Sequence, residues 1–148
     1  QKVRVEIPRP AAIYNLRTGA RVGKGKMRSW DAALSRGRPQ VFSLLPYEVT
    51  AVSIEADTSA RPGDTLPVNV NIGTEPGKAE FHVVRLNVFA PGSDRAHRQY
   101  SVNIPCPAGK GAAKVPFALN DPQGRWRFEA RDVASGRQAE LVVMLERE

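Results

Sequence analysis

The chain has 148 residues, of which 41% are hydrophobic, so it is long and apolar enough to bury a core and is not disordered throughout. Its twelve Gly and twelve Pro separate short apolar runs, none of which reaches the roughly eighteen residues of a membrane-spanning helix. The formal net charge of +7 is uneven, because the first 46 residues carry ten Lys and Arg against two acids, whereas the rest carry twelve against thirteen.

A small β annex is predicted at the N-terminal end, with four or five strands. Val3–Ile7 alternates like a strand, and Pro8–Pro10 is expected to end it. A hairpin turning at Arg17–Gly19 follows, and further strands are expected over Trp30–Leu34 and Val41–Leu45. So small a piece is marginal alone, and we expect it to pack on a neighbour.

The boundary of the annex is placed at Leu45-Pro46-Tyr47, which gives an annex of residues 1–46 and a second segment of residues 47–148. The second segment contains seven strand candidates separated by turns rich in Gly and Pro. They are Val49–Ala56, Leu66–Ile72, His82–Phe89, Arg98–Ile104, Ala113–Leu119, Arg125–Val133 and Ala139–Leu145. Seven short strands in about 100 residues are typical of an immunoglobulin-like or fibronectin-like β-sandwich. The predicted fold class is therefore all-β.

The last hairpin carries the clearest strand pattern. Trp126, Phe128 and Ala130 alternate with charged residues, which predicts one buried and one solvated face. Ala134–Gly136 is expected to turn the chain into the final strand. Asp121–Gly124, with Asp first, Pro second and Gly fourth, has the composition of a type I turn.

The reactive side chains do not form a catalytic or metal-binding pattern. Cys106 is the single cysteine and lies between two prolines, so it favours a small structural residue over a reactive thiol. The two histidines, His82 and His97, lie in adjacent candidate strands, but a zinc site shared with Cys106 would have unusual spacing. We expect each histidine at an edge or in solvent, and predict no catalytic residue, metal or cofactor.

The basic hairpin is the feature with the most evident capacity for binding. The candidate ligand-binding residues are Tyr14, Arg17, Arg21, Lys24, Lys26, Arg28 and Trp30. Its cations could neutralise phosphates or sulfates while an aromatic ring stacks on a sugar or base. No nucleic-acid motif accompanies them, and such a cluster is also typical of a solvated face or of a face that meets an acidic neighbour. A carbohydrate-binding module would instead use exposed aromatics, for which the candidates are Tyr14, Trp30, Tyr47 and Tyr100.

Several motifs together resemble the β-rich C-terminal region of large bacterial glycosidase-like proteins of the β-galactosidase type, which follows a trimerisation-type domain. They are Tyr14-Asn15-Leu16-Arg17-Thr18-Gly19, the run Gly37–Tyr47, the strand and turn His82–Gly92, and Ala118–Arg137 with its Leu119-Asn120-Asp121-Pro122. The resemblance covers most of the chain, although Asn15 stands where the family more often has Asp.

The resemblance implies a non-catalytic accessory region of an exported bacterial protein, periplasmic, cell-surface or extracellular. The family's catalytic carboxylates lie in an upstream barrel domain, and nothing in this chain matches them. The implied partners are upstream domains of the same polypeptide, and the implied role of this region is to fix domain or subunit geometry. The alternatives are a carbohydrate-binding module and a polyanion binder that uses the basic hairpin. A start at Gln1 rather than Met favours a processed protein or a piece of a longer one.

Overall fold

The computed structural model describes residues 1–146, which form three antiparallel or mixed sheets. The strands are β1 (Lys2–Asn15), β2 (Ala20–Ala33), β3 (Phe42–Leu45), β4 (Glu48–Glu55), β5 (Ser59–Ala60), β6 (Thr65–Glu75), β7 (His82–Phe89), β8 (Val102–Cys106), β9 (Lys110–Pro116), β10 (Gly124–Asp132) and β11 (Gln138–Leu145), with a 3-10 turn at Pro107–Gly109. Within these residues no helix has the length and apolar character needed to cross a bilayer.

The annex is a three-stranded sheet in the order β2-β1-β3. Its hairpin turns where the sequence predicts, because Asn15 Oδ1 accepts hydrogen bonds from the backbone N–H of Arg17 (2.9 Å) and of Thr18 (3.3 Å). Gly19 then adopts a positive φ of 68°, which a glycine tolerates without steric cost. The predicted hairpin is confirmed.

The prediction that Pro8–Pro10 ends the first strand is wrong. The pairing jumps from Glu6↔Ser29 to Ala11↔Met27, so the four residues between Glu6 and Ala11 bulge out opposite a single residue of β2. Prolines are tolerated in such a bulge because they need no ladder partner there. The strand continues to Asn15, and this part of the chain has three strands rather than four or five.

The rest of the described chain forms a two-layer sandwich. One sheet has the order β5-β11-β10-β7-β8 and the other the order β4-β6-β9, with the main hydrophobic core between them. Trp126, Phe128 and Ala130 of β10 point into this core and are fully buried, which confirms the alternation predicted for the last hairpin. The all-β class, with an immunoglobulin-like sandwich and a smaller N-terminal annex, is confirmed.

The turn before β10 differs from the predicted one. The Asp121 N–H donates to the Ala118 carbonyl (3.1 Å), so Asp121 ends the turn instead of starting it. Its Oδ2 also accepts from the Ala118 N–H (2.8 Å) and from the Tyr100 hydroxyl (2.6 Å), which holds the carboxylate in that place. Leu119, predicted as the last residue of the strand Ala113–Leu119, consequently lies outside β9 and is 75% exposed.

Candidate functional site at the annex–sandwich junction

The annex is joined to the sandwich by hydrogen bonds and close packing. The Tyr14 hydroxyl, buried with its ring, accepts from the Val49 N–H at the start of β4 (3.0 Å). The Ser43 hydroxyl of β3 donates to the Ala134 carbonyl in the β10–β11 turn (2.5 Å). We call this region the junction; it consists of Tyr14, Gly19, Arg21 and Ser43 from the annex and Glu48, Val49, Ala134 and Gly136 from the sandwich.

Arg21 makes the charged contact of the junction. Its guanidinium donates from Nη1 and Nη2 to the two carboxylate oxygens of Glu48, the second bond measuring 2.6 Å. The same guanidinium lies 5.7 Å from the centre of the Tyr14 ring and donates to the Gly25 carbonyl (2.8 Å). The hydrogen bond to Glu48 raises the pKa of Arg21, and its counterpart from Arg21 lowers the pKa of Glu48. A bidentate ion pair of this kind fixes the relative orientation of the two side chains as well as the distance between them.

Two turns pack backbone against backbone at the junction. A Cβ added to Gly136 would lie 2.4 Å from the Cα of Gly19 and 2.8 Å from its carbonyl oxygen. A Cβ added to Gly19 would lie 2.7 Å from Nη2 of Arg131. The annex hairpin and the β10–β11 turn therefore approach closely enough to exclude a side chain at Gly136.

The Arg21–Glu48 pair predicts a specific acid sensitivity of folding. Because the folded-state pKa of Glu48 is lowered, its contribution is present above its ordinary pKa of 4.5 and is lost as the pH falls through the folded value. The melting temperatures of the wild type and of Glu48→Gln should therefore converge between about pH 5 and about pH 3. Glu55→Gln, an exposed residue of the same strand, should follow the wild type in parallel. A Glu48→Gln curve that also stays parallel would contradict the pair's role.

A buried polar network lies beneath the junction. His82 Nδ1 is 2.8 Å from Asp132 Oδ1, and His82 Nε2 is 2.9 Å from the Tyr47 hydroxyl. Asp132 Oδ2 accepts from the Ser135 N–H (2.9 Å) and hydroxyl (2.5 Å). The Tyr47 hydroxyl also accepts from the Glu80 N–H (2.9 Å). Tyr47, His82, Asp132 and Ser135 are each no more than 4% exposed.

The protons of this network follow from what each group can donate. A carboxylate only accepts, so His82 Nδ1–H donates to Asp132 Oδ1, and His82 Nε2 is hydrogen-bonded to the Tyr47 hydroxyl. Burial would raise the pKa of Asp132, but the hydrogen bonds from His82 and Ser135 outweigh it and hold that pKa below its ordinary value. Burial raises the pKa of Tyr47. Every polar side-chain atom of these four buried residues therefore has a hydrogen-bond partner.

This network has the residue types of a hydrolytic triad but not its arrangement. The Ser135 hydroxyl donates to the carboxylate, and the far nitrogen of His82 is occupied by Tyr47. A nucleophile would need the hydroxyl on that nitrogen and access to substrate. What the arrangement does is tie the start of β4, the start of β7 and the end of β10 together.

The expectation of His82 at an edge or in solvent is wrong, since it is 2% exposed. His97 does not face it, because β8 begins only at Val102 and His97 lies in the preceding loop, stacked on Tyr100 with ring centres 4.0 Å apart. Cys106 is fully buried, and burial raises the pKa of its thiol. No group of three or more His, Cys, Asp or Glu within residues 1–146 is placed to hold a metal ion.

The structure separates the predicted ligand-binding residues. Tyr14 and Trp30 are 3% and 6% exposed, because Tyr14 is bonded to Val49 and Trp30 packs edge-on against Phe42 (5.2 Å) in a small annex core. Tyr47 and Tyr100 are buried as well, so the expectation of exposed aromatics at these four positions is wrong. Arg21 is engaged with Glu48. The cations that remain exposed are Arg17, Lys24, Lys26 and Arg28.

Both tryptophans are expected to be shielded from a soluble quencher. Trp30 is 6% exposed and Trp126 is fully buried, so acrylamide should quench the native protein far less than it quenches the urea-unfolded chain. Stern–Volmer plots of the two states test this. A native component as accessible as free N-acetyltryptophanamide would show that Trp30 is open to solvent.

Comparisons with known proteins give the fold and no family. No family model matches the chain, and no curated protein matches its sequence. Among solved structures, it is similar to the superoxide reductase (neelaredoxin) from Ignicoccus hospitalis, with a TM-score of 0.46 and 14% identity over 66% of this chain and 82% of that one. It is similar to E. coli alpha-2-macroglobulin, with a TM-score of 0.53 and 15% identity over 100% of this chain. A chimeric titin Z1Z2 tandem aligns with a TM-score of 0.37 and 18% identity over 98% of this chain and 90% of that one.

At these identities the likeness concerns the β architecture alone. Of the three structures, alpha-2-macroglobulin superposes with a TM-score above 0.5, and the chain spans 10% of its length. The class defined by fold and site is therefore an all-β protein in which a three-stranded annex is fastened to a sandwich.

Proposed function

We propose that this chain is a non-catalytic structural region of a larger, exported bacterial glycosidase-like protein, and that it fixes the geometry of neighbouring domains or subunits. The observation that carries the proposal is the junction, in which annex and sandwich share hydrogen bonds, an ion pair and a close backbone contact. The glycosidase-like parent and its export are supported by the sequence motifs alone.

The connection between the two parts favours a rigid unit. Only Pro46 and Tyr47 separate β3 from β4, and Tyr47 belongs to the sandwich core. Leu45, the last residue of β3, also packs against that core. Domains that move relative to each other are usually joined by exposed linkers crossed by few contacts, whereas this connection has two residues, one of them the buried Tyr47.

Two spin-label distances test the rigid unit. Nitroxides at Arg28→Cys in the annex and Lys114→Cys in the sandwich, both exposed positions, should give one narrow distance distribution, while buried Cys106 stays unlabelled. The control pair Asn103→Cys and Lys114→Cys lies wholly within the sandwich. A distribution much broader than the control's would refute a fixed annex. A barrel domain encoded upstream of residue 1 would support the glycosidase-like parent.

Polyanion binding through the basic hairpin is a second candidate, favoured by the exposure of Arg17, Lys24, Lys26 and Arg28. Lys26 shares a cleft with Glu48 and Glu75, which reduces the local positive charge. Binding to dextran sulfate that weakens steeply between low and physiological salt would support this function. Equal retention of wild type and Lys24→Gln/Lys26→Gln would contradict it.

A further inference from the structure

An apolar patch lies on the outer face of the five-stranded sheet. His82 and Val84 point into the core, so alternation places Phe81 and Val83 on the opposite face. Pro105 pairs with Val83 from β8, and the Val133 N–H donates to the Val83 carbonyl from the end of β10. Val83, Pro105 and Val133 are therefore neighbours, and together with the exposed Phe81, at the bend that precedes β7, we call them the outer patch.

The outer patch is open to solvent. Phe81 is 65% exposed, more than any other aromatic residue that the structure describes, and Val133 is 48% exposed. Isolated exposed apolar residues are common on protein surfaces, but a contiguous group of them marks an interaction site.

Two arginines adjoin the outer patch without an acidic partner. Arg85 and Arg131 are directly opposite each other on β7 and β10, an arrangement in which like charges destabilise a sheet. Arg85 donates to the side-chain oxygens of Asn87 (3.0 Å) and Asn103 (3.4 Å), whereas the Arg131 guanidinium extends toward Gly19 of the annex hairpin. No described carboxylate lies within 4.0 Å of either guanidinium. Arg127, on the same face, is paired with Glu129 and Glu140.

The backbone beneath the outer patch is held in place. Phe81 precedes His82, and Val133 follows Asp132, so both exposed residues are flanked by members of the buried network. A surface already ordered before binding loses little conformational freedom on association.

We propose that the outer patch and its two arginines dock an extended acidic segment of another protein domain. An apolar side chain of that segment covers Val83 and Phe81, and a carboxylate two residues further on meets Arg85, with Arg131 on the neighbouring strand adding a second positive charge. The spacing fits, because residues i and i+2 of an extended chain lie about 6.5–7 Å apart on one face, as Val83 and Arg85 do.

The charges favour this occupant over the others. A second copy of the chain would bring the same unpaired arginines and a net charge of +7 to the contact. A nucleic acid or acidic polysaccharide would satisfy the arginines but leave Val133 and Pro105 without an apolar partner. An acidic segment with an apolar side chain satisfies both parts.

A labelled peptide tests the proposal. The probe is a six-residue fluorescein peptide in which leucine, glutamate and glutamate alternate with threonine, and its counterpart has glutamine for each glutamate. Fluorescence anisotropy with the whole chain should show binding in the millimolar range or tighter, weakened about fivefold between roughly 20 mM and 200 mM salt. The glutamine peptide should bind at least about fivefold more weakly.

Variants locate the binding on the surface. Arg85→Gln/Arg131→Gln and Phe81→Ser should each weaken binding at least about fivefold, while Lys24→Gln/Lys26→Gln, which removes two charges from the annex, should bind like wild type. All of these positions are on the surface, and unchanged circular dichroism melts will confirm intact folding.

Several outcomes would overturn the proposal. The first is absence of measurable binding at low salt, and the second is equal binding of both peptides. The third is a loss of binding in Lys24→Gln/Lys26→Gln as large as the loss in the outer-patch variants. Self-association in sedimentation experiments that Phe81→Ser abolishes would assign the patch to a second copy. Binding of polygalacturonate, but not of the peptide, through Arg85 and Arg131 would assign it to a polysaccharide.

Discussion

Replacing Asp132 with alanine is expected to lower the free energy of unfolding by about 3 kcal/mol or more, because each buried donor left without an acceptor costs about 1–3 kcal/mol. The carboxylate accepts from His82 and twice from Ser135, and its loss leaves three buried donors without an acceptor. Urea unfolding followed by circular dichroism measures the change. The β10–β11 turn should lose its structure first, because Ser135 in that turn is hydrogen-bonded to the Asp132 carboxylate.

Ser135→Ala is the graded control for this prediction. It removes one hydrogen bond to the charged group and should cost about 1.5–3 kcal/mol, clearly less than Asp132→Ala. If Asp132→Ala destabilised the protein by no more than an average surface substitution, about 0.5 kcal/mol, the network would not stabilise the fold.

Gly136→Ala is expected to have the second large effect, and to act on the junction. Its φ of 73° costs a residue with a Cβ about 1–2 kcal/mol. The new methyl would lie 2.4 Å from the Gly19 Cα, so the annex hairpin must move, with an overpacking cost of about 1–3 kcal/mol more. Thermal unfolding measures the total.

Gly92→Ala separates the two costs. Gly92 has nearly the same φ, 71°, but a Cβ there meets no atom within 4 Å. Gly92→Ala should lower the free energy of unfolding only by the conformational cost of the positive φ, about 1–2 kcal/mol. Equal destabilisation by the two substitutions would show that the contact between Gly19 and Gly136 is not tight.

Strand positions follow closely from the sequence where one face is buried. β7 coincides with the predicted His82–Phe89, and β10 and β11 begin one residue before the predicted Arg125 and Ala139. Alternating apolar residues fix both the strand and its inward face there. The annex follows less closely, because its bulges break the alternation and let Pro8 and Pro10 remain within a strand.

The buried network leaves a partial trace in the sequence. His82 lies on the same face of its strand as the inward-facing Val84 and Leu86. Asp132 lies on the same face as Phe128 and Ala130, so alternation places both polar residues in the core. Their pairing leaves no such trace, because 50 residues separate them and only the β7–β10 register brings them together. The sequence pattern also does not show that Tyr14 and Trp30 are buried, since that depends on how the annex packs.

The outer patch follows the same rule from the other side of the sheet. Because side chains alternate between the two faces, the inward position of His82 places Phe81 outward. In the same way the buried Asp132 lies between the exposed Arg131 and Val133. What the sequence could not supply is the neighbouring strand order, which sets Arg85 beside Arg131 and Pro105 beside Val83.

We infer that annex and sandwich form one cooperative unit. Each part contains one tryptophan, Trp30 in β2 and Trp126 in β10. Fluorine NMR of the chain labelled with 5-fluorotryptophan, recorded through a urea titration, follows both parts in the unmodified sequence. We predict that the two native resonances disappear with the same midpoint. A Trp30 resonance that is lost at clearly lower urea, while Trp126 stays native, would contradict the claim.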